Sequence, residues 1–186
     1  MMISNGRLFF VSAPSGAGKG TVIRHLLKLR PELVYSVSVT TRLPREGEAE
    51  GVAYYFVTKE RFKEMIKNDD FLEYAEYVGE FYGTPRNPVN ECIRKGIDVL
   101  LEIEVLGAKQ VMAMAPEAVT IFIVPPSIEE LERRLRGRRT ESEEKLAARL
   151  KRAAQEIEEK TAFDHIIVND EVSHAAEKIL AIIDGA

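Results

Sequence analysis

The segment SAPSGAGKGT, residues 12–21, restricts the fold of this chain more than any other stretch. It follows a short apolar run, residues 8–11, and leads into a helix-like segment, residues 21–30. A buried strand that enters a glycine-rich turn and then a helix directs successive backbone N–H groups and the helix N-terminus towards one anion. Lys19 adds a movable positive charge for the β- and γ-phosphates of a nucleotide. The pattern predicts a phosphate-binding loop that holds a nucleoside triphosphate.

This loop departs from the common pattern at two positions. Ala13 stands where a glycine is usual, and Gly20 stands where Ser or Thr usually follows the lysine. The remaining glycines still allow close approach of the backbone to a phosphate, and Thr21 offers a hydroxyl near a bound metal ion. The alternative is an ordinary strand-to-helix turn, but the strand–loop–helix context favours a phosphate site.

Composition limits the class of protein. A length of 186 residues fits one α/β domain with inserted lobes. With 26 basic and 30 acidic residues, the chain has no broad basic surface for nucleic acid, so we expect no nucleic-acid partner. Cys92 is the only cysteine, which excludes an internal disulfide and a cysteine-based zinc site. Neither a membrane span nor a signal peptide is recognisable, so we expect a cytoplasmic protein without a membrane partner.

Strand-like and helix-like segments alternate along most of the chain. Apolar strand-like runs occur at residues 35–39, 97–101, 119–124 and 165–168, with amphipathic helix-like segments between and after them. This alternation predicts an α/β fold with a mostly parallel sheet flanked by helices. In such a fold the ligand lies beyond the carboxyl ends of the strands.

Two segments interrupt this alternation. Residues 52–84 contain alternating aromatic residues and a short helix-like stretch, residues 59–68, which together predict a small inserted lobe with antiparallel strands. Residues 133–152 are dense in charge, and a plain solvated pair of helices is one interpretation of them.

A pair of arginines indicates a second phosphate site. Arg42 and Arg45 flank Pro44, which favours an extended loop. Two guanidinium groups on one loop can hold a phosphate bidentately, and the hydroxyls of Tyr54 and Tyr82 can add hydrogen bonds. The alternative is that the arginines only form ion pairs with neighbouring glutamates, namely Glu46, Glu48 or Glu50.

Six segments of the chain together resemble one family. They are SAPSGAGKGT, SVSVTTRLPREGE, FLEYAEYVGEFYGTP, DVLLEIE, RRLRGRRTESEEKLAARL and IIVND, in the order and spacing seen in guanylate kinases of bacterial type, which are P-loop nucleoside monophosphate kinases. The resemblance implies Mg²⁺-dependent transfer of the γ-phosphoryl group of ATP to GMP. It also implies a P-loop kinase fold with a core (residues 1–35, 87–132 and 153–186), an inserted small α+β GMP-binding lobe (36–86) and a helical lid (133–152).

The resemblance also implies roles for individual residues. It assigns catalysis to Lys19, Arg42, Arg134, Arg138 and Arg149. It assigns ATP binding to the loop and one later residue: Ala13, Pro14, Ser15, Gly16, Ala17, Gly18, Lys19, Gly20, Thr21 and Asn169. It assigns GMP binding to Ser38, Arg42, Arg45, Glu48, Tyr54, Glu73, Tyr82, Thr84 and Glu104, with Ser38, Glu73 and Thr84 at the guanine. It places Thr21 and Glu102 near the metal, directly or through water.

The sequence leaves two alternative functions and two further properties open. A non-catalytic protein-binding module is one alternative function, although the intact Gly18, Lys19 and Thr21 favour an enzyme. A kinase for a different phosphorylated acceptor, such as a ribose bisphosphate, is another, although Glu73 and Thr84 favour a purine base. Acceptance of deoxy-GMP and the oligomeric state are not predicted.

Overall fold

The computed structural model describes residues 5–77, 79–137 and 143–186. Its strands are β1 Leu8–Ser12, β2 Val34–Tyr35, β3 Val39–Thr40, β4 Tyr55–Phe56, β5 Phe71–Tyr77, β6 Glu80–Pro85, β7 Val99–Glu102, β8 Val119–Val124 and β9 His165–Val168. Its α-helices are α1 Lys19–Leu29, α2 Lys59–Lys67, α3 Arg86–Arg94, α4 Val105–Met114, α5 Ile128–Arg136, α6 Glu143–Glu158 and α7 Val172–Gly185. A 3-10 helix, Glu159–Ala162, follows α6.

The described chain forms two compact units. The first consists of Leu33–Ala118 with the segment that ends at Phe9, and the second consists of Phe10–Glu32 and Val119–Ala186. The five-stranded sheet has the order β2-β7-β1-β8-β9, and its β2–β7 and β8–β9 pairs are parallel. The predicted α/β class with a mostly parallel sheet is therefore confirmed. Across the described residues, no helix is long and apolar enough to cross a bilayer.

The strand predicted at residues 35–39 is wrong as a single element. Tyr35 ends β2, where it pairs with Leu100 of the five-stranded sheet, whereas Val39 begins β3, where it pairs with Gly83 of a second sheet. Val39 is buried with Phe62 and Phe71 in the apolar cluster of that second sheet. The apolar alternation is continuous, but its two halves are buried against different partners, so the chain changes sheets between them.

The second sheet has four strands in the order β4-β3-β6-β5. Its β3–β6 and β5–β6 pairs are antiparallel as expected for the inserted lobe, but β3 and β4 pair in parallel. The reason is the connection over residues 41–54, which is long enough to return the chain to the end of the sheet at which β3 began. Glu73 of β5 pairs with Thr84 of β6, next to a shift in register between Phe71 and Glu73.

In the second unit, helices α5 and α6 pack on each other through an apolar seam. Leu131 and Leu135 of α5 form a buried cluster with Leu146 and Ala153 of α6. Ser127 is the N-cap residue of helix α5, and its side-chain oxygen accepts a hydrogen bond from the backbone N–H of Glu130. The described parts of the charge-rich segment are therefore helices with one apolar face and one charged face.

Candidate functional site

The loop between β1 and α1 has the backbone geometry of an anion-binding turn. Strand β1 is buried along its whole length and delivers the chain to the loop. Gly16 and Gly18 have φ angles of 91° and 92°, in the left-handed region that favours glycine. Helix α1 then begins at Lys19, with Gly18 as its N-cap. The helix N-terminus therefore opens directly onto the loop, where it can attract a phosphate.

Neighbouring side chains also leave no room for a Cβ atom at either of these two glycines. A Cβ atom at Gly16 would lie 2.7 Å from Cδ2 of Leu135, and a Cβ at Gly18 would lie 2.5 Å from Nδ2 of Asn169. Both distances are shorter than real contacts allow. The loop is thus packed closely against α5 and against the residue that follows β9.

Helix α6 holds the loop at Ser15. The backbone N–H of Ser15 donates to Oε2 of Glu156 (3.1 Å), and the guanidinium of Arg149 donates to the Ser15 hydroxyl (2.9 Å). Arg152 donates to the other oxygen of Glu156 (2.8 Å). Glu156 was not identified as a site residue from the sequence, because the sequence shows only its spacing of four residues from Arg152. Its partner at Ser15 is 141 residues away along the chain.

Asn169 and Arg134 hold the loop at Ala17. The Asn169 side chain is buried, and its Nδ2 donates to the carbonyl oxygen of Ala17 (2.7 Å). Arg134 donates to the carbonyl oxygen of Asn169 (3.0 Å) and to Glu130 (2.7 Å). Hydrogen bonds from Arg133 and Arg134 lower the pKa of Glu130 to about 2. Glu130 is a second residue that the sequence did not indicate.

The other residues predicted for ATP lie in or next to this loop. Ala13 and Pro14 are buried, Lys19 is half-buried as the first residue of α1, and Thr21 is exposed one residue beyond Gly20. The Thr21 hydroxyl accepts a hydrogen bond from Arg24 (3.2 Å). Arg138, predicted to be catalytic, lies outside the described residues.

In the first unit, Arg42 forms the ion pair that the sequence offered as an alternative. Its guanidinium donates to Oε1 of Glu48 (2.9 Å) and to the carbonyl oxygen of Leu43 (2.7 Å), and it lies 5.4 Å from the ring centre of Tyr54. The backbone N–H of Arg45 donates to Oε2 of Glu48 (2.8 Å). Burial disfavours the charged form of Glu48, but these hydrogen bonds from Arg45 and Arg42 outweigh it, so its pKa is lowered. Burial opposes the charge of Arg42 as well, but the bond to Glu48 outweighs it and raises the pKa of Arg42.

The predicted tyrosines lie beside this ion pair. The rings of Tyr54 and Tyr82 meet edge to face, with centres 5.9 Å apart, and Tyr82 interacts with Arg42. Ser38 is buried, and its carbonyl oxygen accepts a hydrogen bond from the N–H of Tyr55. The Arg45 side chain is exposed. The structure therefore groups Arg42, Glu48, Tyr54 and Tyr82 in one cluster beside strands β3 and β6.

The predicted base-reading residues form a buried pair. Glu73 is 6% exposed and Thr84 is 1% exposed. The Thr84 hydroxyl donates to Oε1 of Glu73 (2.6 Å). A hydroxyl has one proton, so Thr84 orients the carboxylate here and must release it before it can donate to a base.

The acidic residues predicted near the metal (Glu102) and GMP (Glu104) lie where β7 ends. Glu102 is the last residue of β7, and its carboxylate accepts a hydrogen bond from the Tyr35 hydroxyl (3.0 Å). Glu104 is the N-cap residue of α4. Within residues 5–77, 79–137 and 143–186, His, Cys, Asp and Glu side chains do not form a group of three or more that could hold a metal ion.

Comparison with known proteins gives consistent matches. Residues 5–186 match the family model described as guanylate kinase. A guanylate kinase from Trichormus variabilis is 50% identical over 98% of this chain and 92% of its own length. One from Oceanobacillus iheyensis is 51% identical over 98% of this chain and 89% of its own length. The crystal structure of guanylate kinase from Anaplasma phagocytophilum superimposes with a TM-score of 0.82 at 40% identity, covering 98% of this chain and 86% of that one.

Proposed function

Because the chain belongs to the guanylate kinase family, and so transfers the γ-phosphoryl group of ATP to GMP, we propose that its β1–α1 loop binds ATP and that the Arg42–Glu73 region binds GMP. The alternatives of a non-catalytic module and of a kinase for a sugar phosphate do not fit this membership. What remains to be proposed is how the individual side chains perform the reaction.

On the ATP side, the loop amides and Lys19 bind the phosphates. The Ser15 N–H donates to Glu156 and the Ala17 carbonyl accepts from Asn169, and these two hydrogen bonds keep the loop in one conformation before ATP arrives. A binding site that is already ordered loses less conformational entropy on binding. Since the Asn169 side chain is buried, we assign it this support of the loop, and its contact with adenine stays a prediction.

On the GMP side, Arg42 binds the phosphate, and Glu48 positions the guanidinium of Arg42. The guanidinium is held by Glu48 and Leu43 and lies against Tyr54, so its orientation is fixed before the ligand binds. Arg carries five N–H donors, so two such contacts still leave donors for phosphate oxygens. Arg45, Tyr54 and Tyr82 complete the phosphate site.

The guanine is read by Glu73. The N1–H and N2 amino groups of guanine are adjacent donors, and a carboxylate can accept from both while it also accepts from Thr84. Adenine would present an acceptor at N1 to the same carboxylate, which leaves a buried charge without its partner. Ser38 and Glu104 contribute further polar contacts around the base.

Phosphoryl transfer requires positioning and charge neutralisation more than acid–base chemistry. The attacking oxygen of GMP is already ionised, so no side chain has to remove a proton from it. Lys19, Arg134, Arg138 and Arg149 neutralise the charge that develops on the transferring group. Closure of the lid, residues 133–152, excludes water that would otherwise accept the phosphoryl group.

Magnesium fits the donors that the chain offers. Mg²⁺ prefers oxygen ligands and keeps several waters, so it needs few protein ligands when phosphates are present. The Thr21 hydroxyl and the Glu102 carboxylate are donors of this kind, direct or through water. These two residues would hold the ion at the ATP phosphates, where it would supply neutralisation of their negative charge.

The buried Glu73 carboxylate is the observation that best supports the base assignment, and its substitution tests it. The measurement is kcat/KM for GMP, AMP, CMP and UMP in a coupled assay. We expect the unchanged protein to prefer GMP over AMP on the order of a thousandfold or more, and Glu73→Gln to lose much of that preference. Glu76→Gln, an exposed change on the same strand, is the matched control. If Glu73→Gln leaves the GMP/AMP ratio unaltered, Glu73 does not read the base.

A further inference from the structure

Gly107 lies directly against the carboxylate of Glu73. It is buried as the third residue of α4, in the first turn of that helix. A Cβ atom built on Gly107 would lie 2.1 Å from Oε2 of Glu73 and 2.9 Å from its Cδ. Any side chain at this position would therefore occupy the volume that the carboxylate fills.

The backbone conformation of Gly107 does not itself require glycine. It is helical and is not among the glycines with positive φ in the described chain. Glycine within a helix is unfavourable relative to alanine by about 1 kcal/mol. The space taken by Glu73 is therefore the feature of the structure that accounts for glycine at position 107.

Glu73 cannot easily move aside. It is 6% exposed, and its other oxygen is held by the Thr84 hydroxyl at 2.6 Å. A close carbon–oxygen contact is roughly 3.3 Å, so a methyl group at position 107 would displace Oε2 by about 1 Å.

Helix α4 cannot easily move aside either. One turn beyond Gly107, the Gln110 side chain donates to the Tyr74 carbonyl oxygen (2.7 Å) and accepts from the Tyr74 N–H (3.2 Å). Tyr74 is the neighbour of Glu73 on β5, an edge strand of the four-stranded sheet. The two hydrogen bonds fix the distance between helix and strand at the point where Gly107 faces Glu73.

We propose that Gly107 determines the specificity of the acceptor site, because its missing side chain makes room for the carboxylate that reads guanine. This inference rests on the proposed function of Glu73. Gly107 is a positioning residue that acts through Glu73. The first turn of α4 also stabilises the negative charge placed against it, since helix N-termini favour anions.

The direct test is Gly107→Ala. A misplacement of about 1 Å in a binding group can reduce a rate on the order of a hundredfold, so we expect a loss of that order in kcat/KM for GMP. The GMP/AMP ratio should fall by at least about tenfold, while KM for ATP stays within about twofold. The control is Gly185→Ala at the end of α7, where a Cβ meets no atom of the described residues within 4 Å. An unchanged GMP/AMP ratio in Gly107→Ala would overturn the inference.

A double-mutant cycle separates this inference from the proposed function. Glu73→Ala removes the side chain that Gly107 faces, so Gly107→Ala should lower the melting temperature of the original protein but not that of the Glu73→Ala variant. Equal losses in both backgrounds would show that Gly107 does not act through Glu73. If Glu73→Gln leaves the GMP/AMP ratio unaltered, the base assignment itself is wrong. If Gly107→Ala does not fold, recovery of folding in the double variant supports the proposal, and failure to recover rejects it.

Discussion

Replacement of Gly18 by alanine tests how tightly the phosphate loop is held. Gly18 has a φ of 92°, and a side chain in left-handed conformation costs about 1–2 kcal/mol. Its Cβ would lie 2.5 Å from Nδ2 of Asn169, which must then move and lose its hydrogen bond to Ala17. A buried hydrogen bond of this kind contributes about 1 kcal/mol. The sum is about 2–3 kcal/mol, or about 5–10 °C in melting temperature for a chain of this length.

The matched control for Gly18→Ala is Gly79→Ala. Gly79 has a φ of 79°, and a Cβ there meets no atom of the described chain within 4 Å, so this variant bears the conformational cost alone. Thermal unfolding followed by circular dichroism should show the larger fall for Gly18→Ala, by about 1 kcal/mol. In an Asn169→Ala background the two glycine variants should become equal. If they are already equal in the original protein, the contact with Asn169 does not hold the loop.

Three further predictions concern charged groups. Lys19→Ala should lower kcat at least about a hundredfold with an unchanged melting transition, because the charge of Lys19 acts most strongly in the transition state. Near-normal turnover of this variant would contradict the role of Lys19. Glu48→Gln should raise KM for GMP by about tenfold without changing KM for ATP, since Arg42 loses its anchor; a lower KM would mean that Glu48 competes with the phosphate. The pKa of Glu130 is lowered to about 2 from 4.5, so its contribution to stability is complete above about pH 4.5 and is lost as the pH falls towards 2. The difference in unfolding free energy between the original protein and Glu130→Gln should shrink over that range, and a constant difference would contradict the assignment.

The sequence predicts those strands that are short apolar runs within the five-stranded sheet. The run at residues 119–124 is β8 and the run at residues 165–168 is β9. Both strands lie in the parallel sheet, so their prediction does not depend on knowing which sheet each strand joins. The loop also follows from its glycines, because positive φ is a local property. Residues 35–39 show the limit of this reasoning, since alternation reveals that a strand is buried but not which sheet buries it.

The contacts that hold the candidate site depend on tertiary structure. Glu156 meets Ser15, and Asn169 meets Ala17, across more than a hundred residues of chain. Glu73 and Gly107 are brought together because α4 packs on β5, and the sequence around either residue does not predict that contact. The arginine pair predicted from Pro44 and its neighbours was visible in the sequence, but the choice of Glu48 as the partner of Arg42 was not.

The parallel pairing of β3 and β4 has a consequence for how the chain tolerates insertions. The connection that permits this pairing, residues 41–54, also carries Arg42, Glu48 and Tyr54, which we propose to act at the GMP phosphate. A change in its length would therefore shift these groups together with the strand register. A Cβ at Gly79, between β5 and β6, meets no atom of the described residues within 4 Å, although the Gly79 carbonyl accepts a hydrogen bond from Lys59 (2.7 Å), and this turn carries none of these groups. A fluorescent label or a short peptide tag placed at that turn would therefore leave the four-stranded sheet intact, whereas one placed in the connection would abolish use of GMP.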